Sequence, residues 1–199
     1  MDNVLKERTL IVIKPDAIRR ALNGVIIKKF EDVGLKLIAV KMIKASREQI
    51  LSHYPVTDES WVRLLGEKTL KTFDSLKLNV KEKLGTDDPL KLGQDVVEKL
   101  VEHWSEGPVI IMIWEGPHAI EVARKLRGVT TPLQAEPGSI LGDLSFDSQL
   151  VSNTIGRAMK TFVHASGEVF EADREIKHWF GEEATFYDYY NRTDHTAML

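Results

Sequence analysis

Two short segments constrain this chain more than any other feature. TLIVI at 9–13 and VIIMIW at 109–114 run apolar and β-branched with no polar alternation. A strand wet on one face alternates, so these two must be buried on both faces or lie at the centre of a sheet. Both are far too short to cross a bilayer. LIAVKMI at 37–43 reads as a third strand, and the short run at 161–163 as a fourth that delivers His164 at its end.

Helical spacing fills the intervals. Ile18, Ala21, Leu22, Val25, Ile26 and Phe30 recur on one face over 18–33, with Asn23-Gly24 expected to break the run and Gly34 to end it. Ser46-Arg-Glu-Gln49 reads as a capping box opening a helix to about Tyr54. Helices are also expected over 58–73, 89–104, 149–159 and 169–180, and from Gly116-Pro117 to about Arg127. Gly85-Thr-Asp-Asp-Pro89 is turn chemistry, and a polar loop holds Pro132, Pro137 and Gly138. The order contains βαββαβ. It predicts an α+β fold of ferredoxin-like type, an antiparallel four-stranded sheet with surrounding helices.

With 199 residues, a single domain over 1–199 is expected. The formal net charge of −3 gives no reason to expect nucleic acid. The absence of cysteine excludes disulfides, thiolate zinc and a cysteine nucleophile, and fits a reducing compartment. MDNVLKERTL lacks the apolar core of a secretory signal, so Asn191-Arg-Thr is read as a chance glycosylation motif and the cytoplasm as the location. There is no P-loop and no Gly-x-Gly-x-x-Gly; Gly66-Glu-Lys68-Thr69 lacks the spacing.

Two positions invite chemistry. Lys14, directly after the first strand in Ile13-Lys14-Pro15-Asp16, is placed to meet phosphate as a point charge, although the motif alone favours a solvated loop lysine. His164 precedes the small residues Ala165-Ser166-Gly167, and neutral imidazole can accept a phosphoryl group; a lone histidine is more often a turn residue.

The conjunction of motifs decides between these readings. Ile13-Lys14-Pro15-Asp16, His53-Tyr54, Trp114-Glu115-Gly116, Arg124…Gly128…Thr130…Pro132, Pro137-Gly138-Ser139-Ile140…Gly142-Asp143, Val163-His164-Ala165-Ser166 and Glu175-Ile176…Trp179-Phe180 run in one order over about residues 7–180. In this the chain resembles the nucleoside diphosphate kinase family. The resemblance implies ping-pong transfer of the γ-phosphate from a nucleoside triphosphate to a nucleoside diphosphate through phosphohistidine at His164. It makes Glu175 the carboxylate that steers the far imidazole nitrogen, two to three turns into the next helix. Lys14, Tyr54, Arg124 and Thr130 would hold phosphates. Trp61, preferred over Val62, would stack on the base or serve as core. Ser166 would support Glu175, cap the following helix, or both. Mg²⁺ would ride on the nucleotide phosphates without direct protein ligands, with Asp143 read as a turn residue. A homo-oligomer is implied, a hexamer ahead of a tetramer or dimer, with the Thr130-to-Ser139 loop and the aromatic stretch 186–190 as packing elements. No membrane and no specific nucleic acid are expected.

Two positions of the family's nucleotide pocket depart from its pattern. Leu141 stands where the family has arginine, and Thr161 where it has asparagine. They imply a weakened enzyme, or replacement of the lost cation by Arg157 or Lys160. The alternative is a catalytically weakened or inactive nucleotide-binding relative acting as regulator or scaffold. A helical insertion at about 62–104 and a tail at about 184–199 extend the chain; Leu64, Leu65, Leu70, Phe73, Leu76 and Leu78 give the insertion an apolar side.

Overall fold

The computed structural model describes residues 5–182, 186, 189 and 190. These fall into two compact units, one of residues 1–44, 107–146 and 161–199, the other of 45–106 and 147–160.

The first unit is built on β1 (Glu7–Ile13), β2 (Lys36–Ile43), β3 (Val109–Gly116) and β4 (Val163–Ala165), in the order β2-β3-β1-β4. Every pairing is antiparallel, giving the expected ferredoxin-like sheet. The unalternating strands take the centre: Leu10 to Ile13 of β1 and Ile111 to Trp114 of β3 are fully buried. Edge strand β2 instead exposes Val40 and Met42. Around the sheet lie α1 (Pro15–Arg19), α2 (Asn23–Asp32), and, further along, α7 (Ala119–Arg127), α8 (Ile140–Leu144) and α10 (Val169–Phe180).

Local chemistry corrects several expectations. The 18–33 run breaks at Ala21, whose φ is 54°, and Asn23-Gly24 opens α2 instead of interrupting it. Pro132 starts a 3-10 turn within the polar loop, and the Ser139 hydroxyl then caps α8 by accepting from the Gly142 N–H at 3.1 Å. The fourth strand begins later than expected. Phe162 has φ 51°, so 161–162 form a turn and His164 lies mid-strand, opposite Val12 of β1. Of the aromatic stretch, Phe186 meets Phe180 edge-on and lies under Arg8, and the Tyr189 hydroxyl donates to Leu37 O at 2.8 Å. Residues 183–185, 187, 188 and 191–199, including Asn191, lie outside the described residues.

The second unit is helical: α3 (Arg47–His53), α4 (Glu59–Ser75), α5 (Val80–Leu84), α6 (Pro89–Ser105) and α9 (Gln149–Thr154). The capping box forms as read: the Gln49 N–H donates to Ser46 Oγ, and the Ser46 N–H to Gln49 Oε1. Helix α4 buries Val62, Gly66, Thr69 and Phe73, while Leu64, Leu76 and Leu78 stay exposed. The buried stripe is set by close helix approach. A Cβ on Gly66 would fall 1.8 Å from the Pro89 carbonyl oxygen, and one on Gly93 would fall 1.9 Å from that of Val62. Glycine at both points lets the α4 and α6 backbones meet; Leu65 and Leu70 of α4 are half-buried, and Leu76 and Leu78 lie beyond its end. Helix α9 stops at Thr154, ahead of Gly156 at φ 69°, short of the expected Met159.

Candidate active site

His164 is positioned from two directions. Pairing of β4 with β1 fixes its backbone opposite Val12, two residues before Lys14. Helix α10 then brings Glu175 back to the ring, with His164 Nε2 2.9 Å from Glu175 Oε2. The helix starts five residues after His164, as expected, so Glu175 is its seventh residue, about two turns in. The Ser166 hydroxyl donates to the same oxygen at 2.7 Å. Ser166 is fully buried and is not the helix cap; Glu168 occupies that position without a side-chain bond. The Glu175 side chain is 4% exposed and the His164 side chain 15%, so the carboxylate is enclosed while the ring keeps an outlet. With the Nε2 proton directed at Glu175, a neutral imidazole carries its lone pair on Nδ1.

Lys14 follows β1 and precedes Pro15, the first residue of α1. It is 6% exposed rather than solvated, and its ammonium donates to Thr161 Oγ1 at 2.8 Å. Asp16 is buried too, and its carboxylate accepts the Phe162 N–H at 3.2 Å. Nothing in the spacing of the sequence singled out this role for Asp16 beyond its place beside Lys14 and Pro15.

Arg124 and Thr130 also belong to the first unit. Arg124 donates from Nη1 to Gly167 O at 2.8 Å, and Thr130 Oγ1 accepts from Arg127 at 3.2 Å. Both line a cleft of about 1400 Å³ with Ser139, Gly167 and Phe170. Lys14 and His164 are not among its lining residues. Tyr54 and Trp61 belong to the second unit, where their rings stack with centroids 5.9 Å apart. Trp61 is half-buried and Val62 is core.

The departures also have definite surroundings. Leu141 is fully buried in the core cluster of the first unit with Ile140, Trp114 and Phe162, so its side chain presents nothing to a phosphate. Arg157 is engaged by Asp147 at 2.6 and 3.2 Å, and Lys160 by Glu106 at 2.5 Å. Asp143 accepts from Lys29 at 2.8 Å and from the Gly138 N–H at 2.7 Å. The Lys29 bond, then the Gly138 bond, hold its carboxyl below the ordinary value, as a structural turn residue requires.

Comparison with known proteins decides the family. The model of the family described as nucleoside diphosphate kinase matches residues 7–62 and 90–185. The chain belongs to the nucleoside diphosphate kinase family. A nucleoside diphosphate kinase of Pyrobaculum aerophilum is 45% identical over 177 residues, covering 89% of this chain and 96% of the relative. One from Brugia malayi is 35% identical, covering 89% and 88%. Among solved structures, an NDP kinase from Pyrobaculum aerophilum superposes with a TM-score of 0.86 at 43% identity, over 90% of this chain and 98% of the other. A nucleoside-diphosphate kinase from Borrelia burgdorferi, a transition-state mimic with bound vanadate and ADP, gives 0.74 at 31% identity, over 94% of each.

As a nucleoside diphosphate kinase the chain is a phosphotransferase, moving a phosphoryl group between nucleoside tri- and diphosphates. The family binds these nucleotides and uses a divalent metal. No helix among the described residues is long and apolar enough to cross a membrane.

Proposed function

We propose that His164 Nδ1 is the atom that carries the phosphoryl group. The observation that carries this reading is the Glu175–His164 contact of 2.9 Å at Nε2, backed by Ser166 at 2.7 Å. The Nδ1 lone pair attacks the γ-phosphorus of a nucleoside triphosphate. The bond from γ-phosphorus to the bridging oxygen breaks, and its electron pair leaves with the diphosphate. A terminal oxygen of a second nucleoside diphosphate then attacks the phosphohistidine and returns the electron pair to Nδ1. Glu175 stabilises the ring's positive charge while phosphate is bound, and Ser166 holds the carboxylate in place.

Lys14, Arg124 and Thr130 are read as phosphate holders, Tyr54 as a further one, and Trp61 as the aromatic surface for the base. The vanadate and ADP seen in the Borrelia relative support a phosphate site in this fold. Base contact by stacking accepts any base, since every base presents a π-face. Mg²⁺ is the expected metal, neutralising phosphate charge when bound. Asp143 is already engaged by Lys29 and the Gly138 N–H, which favours ligation by nucleotide oxygens. With Leu141 in the core and Arg157 and Lys160 paired elsewhere, the missing arginine has no substitute among these residues, and turnover is expected below that of relatives retaining it.

The chain is read as one family domain carrying an insertion within 62–104, acting in the cytoplasm as a homo-oligomer, with a hexamer the first expectation. Exposed Val129, just before the Thr130-to-Ser139 loop, and Leu133 within it support subunit contact there. The deciding experiment is incubation with γ-labelled ATP. The protein should acquire an acid-labile, base-stable label that a nucleoside diphosphate removes and His164→Ala abolishes. No label on the wild type overturns the reading.

A further inference from the structure

Thr161 stands in a position the family fills with asparagine, and its hydroxyl has a definite partner. Lys14 Nζ donates to Thr161 Oγ1 at 2.8 Å across 147 residues of sequence. Both residues are buried, Lys14 at 6% exposure and Thr161 at 7%. A charge-assisted bond withdrawn from water is among the stronger polar contacts a side chain can make.

The backbone around Thr161 is held just as firmly. The Lys14 N–H donates to Phe162 O at 2.7 Å, and the Phe162 N–H donates to Asp16 Oδ2 at 3.2 Å. The Val163 N–H closes back onto Thr161 O. Phe162 sits at φ 51°, a left-handed conformation that a bulky residue holds only when its surroundings impose it. The Arg20 guanidinium covers its ring at 4.9 Å. Lys14 and Asp16 thus grip the turn that immediately precedes β4, and that turn presents the Thr161 hydroxyl to the lysine.

We infer that Thr161 is a positioning residue for Lys14: its hydroxyl fixes the ammonium near the start of β4, where a nucleotide phosphate meets His164. This rests on the phosphohistidine reading above and goes beyond it. It gives this chain's threonine a task of its own, where loss of asparagine alone would leave the lysine less constrained. The bond orients an existing cation, so removing the hydroxyl should act through Lys14 and not through direct nucleotide contact.

A double-mutant cycle on the full chain tests this. Thr161→Val keeps the shape and removes the acceptor, and should lower kcat/KM about tenfold, the scale of one charge-assisted bond. Thr161→Ser should restore activity to within about twofold, and thermal melting should show that each variant is folded. In a Lys14→Ala background, Thr161→Val should change kcat/KM by less than about twofold, because coupled residues are not additive. Thr161→Ala, read the same way, replaces the valine variant if that one does not fold. An equal loss in both backgrounds, or no loss in the wild-type background, overturns the inference. Labelling of the wild type at His164 separates the two levels: an unlabelled wild type sinks the phosphohistidine reading, whereas a labelled wild type with an uncoupled Thr161 sinks only this one.

Discussion

The two units bury their backbones by opposite means. In the first, strands β1 and β3 need no polar alternation because both faces are covered, and large apolar side chains from Leu10 to Trp114 fill the core. In the second, the close helix pair depends on what is missing: Gly66 and Gly93 lack the Cβ atoms that would strike Pro89 and Val62. The polar chemistry differs as well. The first unit buries Lys14 and Asp16 against the turn before β4, and Ser166 and Glu175 beside His164. The second buries Asp147 in a closed ion pair with Arg157, while the aromatics Tyr54 and Trp61 stay half-open. Burial by large side chains leaves a rigid frame on which a few polar groups can be held to fractions of an ångström. Burial by glycine contact sets a helix crossing and leaves surface side chains to vary.

The largest effect that would break this contrast is expected at Glu175. Glu175→Gln keeps the size but favours the wrong imidazole orientation, and should lower the rate of phosphoenzyme formation roughly 10²- to 10⁴-fold, by rapid quench. Its melting temperature should move little. In the same unit, Leu141→Ala removes a fully buried core side chain and should cost about 2–5 kcal/mol in denaturant unfolding. A negligible cost would mean that the side chain is not core.

Gly93→Ala probes the second unit. The new methyl meets a carbonyl oxygen at 1.9 Å, so the helices must part, at a cost of about 1–3 kcal/mol or more. Hydrogen exchange should rise along α4 and α6 before it rises in β1 and β3. Uniform acceleration throughout the chain would erase the contrast between the units.

The smallest effect is expected at Asp147. Burial acts to raise its carboxyl, but the Arg157 bond, the Lys160 and Ser148 N–H groups and the Arg157 charge overcome this and hold it below its ordinary value of 3.8. A depressed carboxyl stabilises the folded state fully above the unfolded pKa, and this is lost as pH falls through the folded value. Asp147→Asn should therefore cost about 1–2 kcal/mol at pH 7. The difference from wild type should shrink only below about pH 3.8; a gap that persists unchanged into acid would contradict the ion-pair account.

What the sequence disclosed follows the same division. β1 and β3 were legible because unbroken apolar runs have few other uses, and the capping box at Ser46 because its chemistry is local. Helix α8 and the late start of β4 were not, since one depends on a loop serine and the other on Phe162 at positive φ, which no propensity anticipates. The residues around His164 were suggested by motif resemblance, but the Lys14–Thr161 bond spans 147 positions and emerges only when β1 and β4 pair. The family pattern marks Leu141 as a missing arginine; that the leucine packs in the core is a property of α8's orientation and cannot be read from its neighbours.

The central claim is that Glu175 takes one imidazole nitrogen of His164 and leaves phosphate to the other. Locating the phosphate by nuclear magnetic resonance on the trapped phosphoenzyme tests it most directly. The account predicts a single modified residue, His164, with phosphorus on Nδ1. Phosphorus on Nε2, or on any other side chain, would contradict it.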